Sequence, residues 1–281
     1  MPASAGRVAV YHATSPGCHW SWGYEALFNR LELVYGDQID VHVRIGCPYE
    51  DFAEWEKHYG MSFDEMKEWL RGEIAERTGV PLFTDLRRET IPDTMLPPSM
   101  AAFHALRLDA RRGRRFARAL LRMYTVEGRD IAQEDAVHAA AAEAGMEAPA
   151  ILAAFSDGEK LRHDFEHQGE GFPHAPIGFY NVAVSDGGQR LVLLDYAFEP
   201  TVVEDAIDWL AGGALRKRAP TDVEAYLREH GPAPRVEIER VFAWSAKDAE
   251  VRLAALESAG SVRRRTLAGA PHWESVQGAW R

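Results

Sequence analysis

Apolar positions along the chain change period several times, and the changes mark out elements. Residues 7–11, Arg-Val-Ala-Val-Tyr, form a short apolar run that predicts a buried strand. A Ser-Pro-Gly turn (15–17) follows, then helix-period apolar residues from Cys18 to Tyr35, closed by Gly36-Asp37. Residues 39–45 alternate as a second strand, so the unit is strand–helix–strand and its strands are expected to be parallel. From about 50 to 168 the pattern is almost entirely helical. Ser62-Phe63-Asp64-Glu65 is a capping box for a helix toward Thr78, stopped by Gly79 and Pro81. A helix from Pro97-Pro98-Ser99 is expected to reach Arg112 and Gly113, with others over 114–126, 136–144 (ended by Gly145) and 148–166. Strands return at 177–184 and 191–194 around Asp186-Gly187-Gly188, a hairpin signal. Thr201-x-x-Glu204 then predicts a capped helix to about Leu210.

The last part of the chain has a different rhythm. Gly212-Gly213 and the basic stretch to Pro220 suggest a linker. Beyond it, Thr221-x-x-Glu224 opens a helix ending at Gly231, helices are expected over 235–243 and 245–259, and 262–266 with 272–276 predict a hairpin. Three helices and a hairpin is the winged-helix pattern. The expected organisation is an α/β domain over 1–212 with a helical insertion over about 50–168, plus a winged-helix-like domain over 219–281.

At 281 residues with 46% hydrophobic and 27% charged residues, the chain has enough apolar material for a real core in each unit. Its net charge of −11 argues against general nucleic-acid binding. The first residues lack a charged-then-apolar leader pattern and no stretch approaches transmembrane length, so a cytoplasmic location and no membrane partner are expected. Two cysteines, Cys18 and Cys47, cannot make a disulfide framework.

Cys18 stands where the first strand hands over to the first helix. Unpaired N–H groups and the positive end of the helix dipole favour thiolate there, so Cys18 is a candidate nucleophile, the alternative being a small buried hydrophobe. Strand, then Cys18-His19-Trp20-Ser21-Trp22-Gly23 at a helix start, resembles the DsbA-like thioredoxin-fold family, in particular its branch of FrnE-type dithiol-disulfide isomerases, 2-hydroxychromene-2-carboxylate isomerases and kappa-class glutathione transferases. A second match runs from Pro98-Ser99 through His104, Arg107, Ala110, Gly113 and Tyr124 to Glu127–Ile131 and Ala141–Gly145, similar to the helical insertion of that branch. A third is Ala175-Pro176, where the family keeps a cis-proline beside the active cysteine.

The resemblance implies a thioredoxin-like fold and a thiol-disulfide oxidoreductase or isomerase, with Cys18 as nucleophile and Ala175 and Pro176 beside it holding substrate; from the residues themselves, Ser21 and His19 are candidates to tune the Cys18 thiolate, and Trp20 and Trp22 to offer substrate an apolar platform. Glutathione or another low-molecular-weight thiol is the implied co-substrate, and no tightly bound cofactor is. Two departures stand out: Ser21 replaces the second cysteine and His19 the usual proline. A motif with one cysteine can form mixed disulfides with protein or small thiols but cannot close its own disulfide. Parallel strands put Cys47 on the same sheet edge as Cys18, so Cys47 is a candidate resolving thiol or else a buried strand-end cysteine.

His163 and His167 lie one helical turn apart without a third ligand at a recognised spacing, so no metal site is expected. The arginines from Arg107 to Arg122 read as a solvated face, or alternatively as an anion clamp. From 221 to 281, nine basic residues face nine acidic ones. Only Arg263, Arg264 and Arg265 look ready for phosphate, with 263 and 265 on one strand face and 264 on the other. The alternative function is therefore a non-catalytic regulator that binds protein or DNA through the last domain. Packing on the first domain and homodimerisation are the other roles open to it.

Overall fold

A computed structural model describes residues 7–168 and 177–277. β1 (Ala9–Thr14), α1 (His19–Tyr35) and β2 (Asp40–Ile45) form the expected strand–helix–strand unit, and the two strands pair in parallel with Val10 opposite Val41. The helical block follows: α2 (Phe52–Tyr59), α3 (Phe63–Trp69), α4 (Ala75–Thr78), α5 (Leu96–Leu108), α6 (Ala110–Thr125), α7 (Glu134–Ala144), α8 (Ala148–Leu152) and α9 (Gly158–Glu166). β3 (Asn181–Ser185), β4 (Leu191–Asp195) and α10 (Pro200–Ala211) complete the first unit. The sheet order is β2-β1-β3-β4, with β3 antiparallel to both neighbours. Among the described residues no helix is long and apolar enough to cross a membrane.

The core explains the order. Leu27, Leu31 and Val34 of α1 meet Val10, Val182 and Val184 of the sheet and Val203, Ile207 and Leu210 of α10. All are buried, and each such side chain contributes about 1.5–3 kcal/mol on leaving water. The helical block has its own core, in which Phe116, Leu120 and Met123 of α6 pack with Ala102, Ala105, Val137 and Ala140.

Four local expectations need correction. The helix break lies at Asp109, not Gly113, because the Asp109 carboxylate accepts from the N–H groups of Arg111 and Arg112 and so starts α6. Gly113 is instead where α5 and α6 meet: a Cβ there would sit 2.4 Å from Leu106 N and 2.5 Å from the Ala105 carbonyl. The third strand begins at 181 rather than 177. Thr201 does not cap α10, which starts on Pro200, and the Glu204 carboxylate is buried against Arg30 and Lys217. Asp222, not Thr221, caps the next helix, accepting from Ala225 N at 2.8 Å.

The last unit runs α11 (Val223–His230), β5 (Ala233–Pro234), α12 (Arg235–Phe242), α13 (Ala246–Ser258), β6 (Val262–Leu267) and β7 (Ala270–Ser275), with sheet order β5-β7-β6. Its hairpin turns on Ala268 and Gly269, both at positive φ (49° and 70°), the conformation that matches strand twist in two-residue turns. The segment expected as a linker is strapped down. Arg218 N donates to Val34 O at 2.9 Å, Arg216 exchanges two hydrogen bonds with Gln38, and Lys217 bridges Glu204 and Asp208.

Charged groups also join the last unit to the first from inside. Arg118 of α6 is buried and donates to Glu237 (2.6 Å), Glu25 (2.7 Å) and His230 O (2.7 Å). Tyr226 also donates to Glu237, and Asn29 donates to the Tyr226 hydroxyl at 2.9 Å. Burial disfavours the charge on Arg118, but the carboxylates of Glu237 and Glu25 prevail and raise its pKa. Burial pushes Glu237 upward against that pairing, and we take the pair as ionised because three donated hydrogen bonds fix the guanidinium. Breaking one side of such a pair strands a charge, at about 3–5 kcal/mol. Glu237→Ala is therefore expected to lower the melting temperature by about 10 °C. A calorimetric shift under about 3 °C would show that this network does not brace the two units.

Candidate active site

Cys18 is the N-cap of α1, with extended backbone (φ −118°, ψ 116°). The turn before it is held by three hydrogen bonds: Cys18 N to Ser15 O (3.2 Å), Gly17 N to Ser15 Oγ (3.2 Å) and Ser15 N to Ser21 Oγ (3.2 Å). Gly17 is required by a close approach, since a Cβ would lie 2.6 Å from the Met95 sulfur of the helical block. Strand, turn and helix thus fix the sulfur against α1.

The electrostatics differ from the expectation of a freely favoured thiolate. Cys18 is 8% exposed. Burial raises its pKa above the ordinary thiol value, opposed by hydrogen bonds from Ser21 N–H, the Ser21 hydroxyl and Trp20 N–H. Ser21 thus faces the thiol and pins the preceding turn. His19 does not match its expectation. The ring is buried against Tyr124, at 5.2 Å between centroids, and loss of hydration takes its pKa to about 4. A neutral His19 supplies no positive charge to the sulfur.

The tryptophans are also interior. Trp20 is packed by Trp69, Tyr196 and Phe198, and Trp22 is 1% exposed beneath the Arg118 guanidinium, 4.8 Å from its ring. Neither offers a broad face to a substrate, because their hydrophobic area is already spent on the core. Ala175 and Pro176 lie outside the described residues.

Cys47 follows β2, on the expected edge, and both cysteines are free thiols. The Cys47 thiol donates to Tyr49 O at 3.0 Å, and burial pushes its pKa up to about 11. It packs on the helical-block core, whereas Cys18 belongs to the core around the sheet. A thiol so committed is a poor resolving nucleophile at neutral pH. Sequence reasoning had not singled out Ser15, Met95 or Tyr49 as parts of this site. Tyr124 had been noted only within the insertion match, although its charge state is coupled to Cys18 and its hydroxyl to Tyr49.

The remaining candidates resolve by pairing. The arginine run is a set of tethers, with Arg107 on Asp164, Arg111 and Arg115 on Glu229, Arg114 on Glu32 and Arg122 on Glu127 and Glu143. Arg118 and Arg122 are buried, so the solvated-face reading fails for them. Arg263 and Arg265 share Glu274 on one face of the hairpin and Arg264 meets Glu257 on the other. Among the described residues no three His, Cys, Asp or Glu side chains gather as metal ligands.

A mixed sheet with an N-capping cysteine on α1 and a large helical block before β3 is the arrangement of the DsbA-like thioredoxin fold. Solved structures share it. The cytosolic disulfide reductase DsbM from Pseudomonas aeruginosa is 26% identical, with a TM-score of 0.52 over 72% of this chain and 99% of DsbM. The same protein with GSH matches at 25% identity and 0.52, over 72% of this chain and 98% of that one. A candidate protein disulfide isomerase from Nitrosomonas europaea shares the fold at 16% identity, with a TM-score of 0.55 over 73% of this chain and 96% of that one. No family model and no curated protein matches the sequence.

Proposed function

We propose that this chain is a cytosolic thiol-disulfide oxidoreductase that works through Cys18 alone, with glutathione or a similar small thiol as co-substrate. The observation that carries the reading is the Cys18 sulfur at the α1 N-cap, facing the Ser21 hydroxyl and the N–H groups of Ser21 and Trp20. The likeness to DsbM, a cytosolic disulfide reductase also solved with GSH, supports it.

The Cys18 thiolate attacks one sulfur of a disulfide. A mixed disulfide forms, and the other sulfur leaves as a thiolate that takes up a proton. A second small thiolate then attacks the sulfur bound to Cys18, forming a new disulfide and returning the Cys18 thiolate. Ser21 holds the anion in both steps and cannot displace the partner, so the mixed disulfide persists until an external thiol arrives. In this reading residues 1–212 carry the chemistry. Residues 219–281, a winged-helix-like unit, brace α1 and α6 through Arg118 and Glu237. Arginines already engaged by Glu274 and Glu257 weigh against a DNA-reading role for that unit.

Intact-mass analysis after incubation with oxidised glutathione tests the proposal. One glutathione adduct is expected, absent in Cys18→Ala and retained in Cys47→Ala. An adduct confined to Cys47, or none at either cysteine, overturns it.

A further inference from the structure

The sheet β2-β1-β3-β4 has two edges, and the described residues treat them differently. The β2 edge is guarded. Gln168 donates to Ile45 O at 2.7 Å and accepts from Ile45 N at 2.9 Å, and α5 packs alongside. The β4 edge has no such cover among the described residues. Asp186 N donates to Arg190 O and Tyr196 N to Tyr180 O, so the even-numbered residues of this antiparallel strand turn their backbone groups to β3. The N–H and C=O groups of Leu191 and Leu193 therefore point outward from the edge.

Side chains on this edge are apolar. Leu191 is 42% exposed and Leu193 38%, neighbours on one face of β4. On the other face Val192 and Leu194 are only partly covered, because α10 packs on β3. The outer flank of α10 carries Val202 and Trp209, both exposed, and Trp209 stands beside the start of β4, with Arg190 5.4 Å from its ring. Lysine, proline or a bulge commonly blunts an open edge, and β4 has none of them.

We infer that β4 pairs with β4 of a second copy of this chain, antiparallel about a twofold axis at Val192. The strand is complementary to itself in that register. It sets Leu191 against the partner's Leu193 and Leu193 against the partner's Leu191. These are the residues whose backbone groups point outward, so each pair exchanges both of its hydrogen bonds. The leucines of both copies then cover one another on one face. Charge agrees as well: Asp195 meets the partner's Gln189, an amide donor from the exposed hairpin turn, so no like charges oppose although the chain carries −11. On the other face, Val192, Leu194 and Trp209 of both copies close over the axis. A twofold at Leu193 would instead set Leu191 against a carboxylate, and an unrelated strand would need its own two leucines in step.

Sedimentation equilibrium of the full chain over about 1–100 µM tests the inference. The mean mass is expected to rise from that of the 31.4 kDa chain toward twice that value. Leu193→Lys places a charge at an exposed edge position, which a folded strand tolerates, and is expected to hold the single-chain mass throughout. Cys18→Ala is expected to associate like the native chain, which keeps this result independent of the thiol chemistry. Should Leu193→Lys not fold, amide exchange in the native chain decides. The Leu191 and Leu193 N–H groups are expected to exchange about tenfold more slowly at the top of that concentration range than at the bottom. A native chain that stays single at every concentration, its edge left for a foreign strand, would overturn the inference. So would a dimer that persists in Leu193→Lys, or exchange at those amides that ignores concentration.

Discussion

Alkylation of Cys18 by iodoacetamide is expected to accelerate roughly thirty- to hundredfold between pH 7 and pH 9, without levelling off near neutrality. Burial is the largest influence on this thiol and raises its pKa. At an ordinary thiol pKa of about 8.5, the thiolate fraction at pH 7 is already only about 3%, and a raised pKa lowers it further. Since thiolate is the attacking form, the rate tracks its fraction. The hydrogen bonds from Ser21 and Trp20 act in the opposite sense, and the Ser21 hydroxyl can be removed. A hydrogen bond to a charged group contributes about 1.5–3 kcal/mol, so Ser21→Ala is expected to slow Cys18 at pH 7 by about tenfold or more. Ser21 Oγ also accepts from Ser15 N, so the comparison rests on the whole pH profile. Loss of the hydroxyl moves its midpoint upward, whereas a loosened turn alters the high-pH plateau. A rate that saturates below pH 8 would mean that burial does not govern this sulfur.

The second large effect is loss of stability in mild acid. His12, His19 and His272 are buried, and burial lowers the pKa of each from 6.5 to about 4. His230 is lowered as well, by burial and then by the arginines around it. A histidine with a depressed folded pKa is neutral when folded and protonates when unfolded. Its stabilising share is full above pH 6.5 and is lost as pH falls toward 4. At pH 5 the loss is about 2 kcal/mol for each of the first three, or about 6 kcal/mol together. Glu237, pushed upward by burial, acts in the opposite direction but is one group against four. Total stability of a domain is about 5–15 kcal/mol, so acid unfolding is expected near pH 5, above the carboxylate range. Urea titrations at pH 7 and pH 5 measure the difference. His272→Phe is expected to remove about 2 kcal/mol of that pH dependence, whatever it does to stability at pH 7. A change below about 1 kcal/mol between the two pH values in the native chain would sink this account.

These expectations depend on features with very different legibility. Local rules reached the capping box of Ser62 and Glu65, the left-handed glycines after α4 and α7, and the Ala268-Gly269 turn, because each is decided within a few residues. The placement of Cys18 at the start of α1 was equally local. Its reactivity was not, because helix position favours thiolate while burial by distant elements opposes it, and burial is the larger effect.

Sequence alone determined the strand–helix–strand start, the helical block, the late β-hairpin and the lone cysteine on its helix. Those features follow from periodicity, capping and turn chemistry, all short-range. Tertiary structure decided that His19 and both motif tryptophans are interior, that Glu204 binds Arg30 rather than capping its own helix, and that Arg118 ties α6 to α1 and the last unit. The partners in those pairs are 93 to 174 positions apart in the chain. Desolvation and ion pairing depend on what surrounds a group in space, and no pattern of neighbours along the chain carries that information.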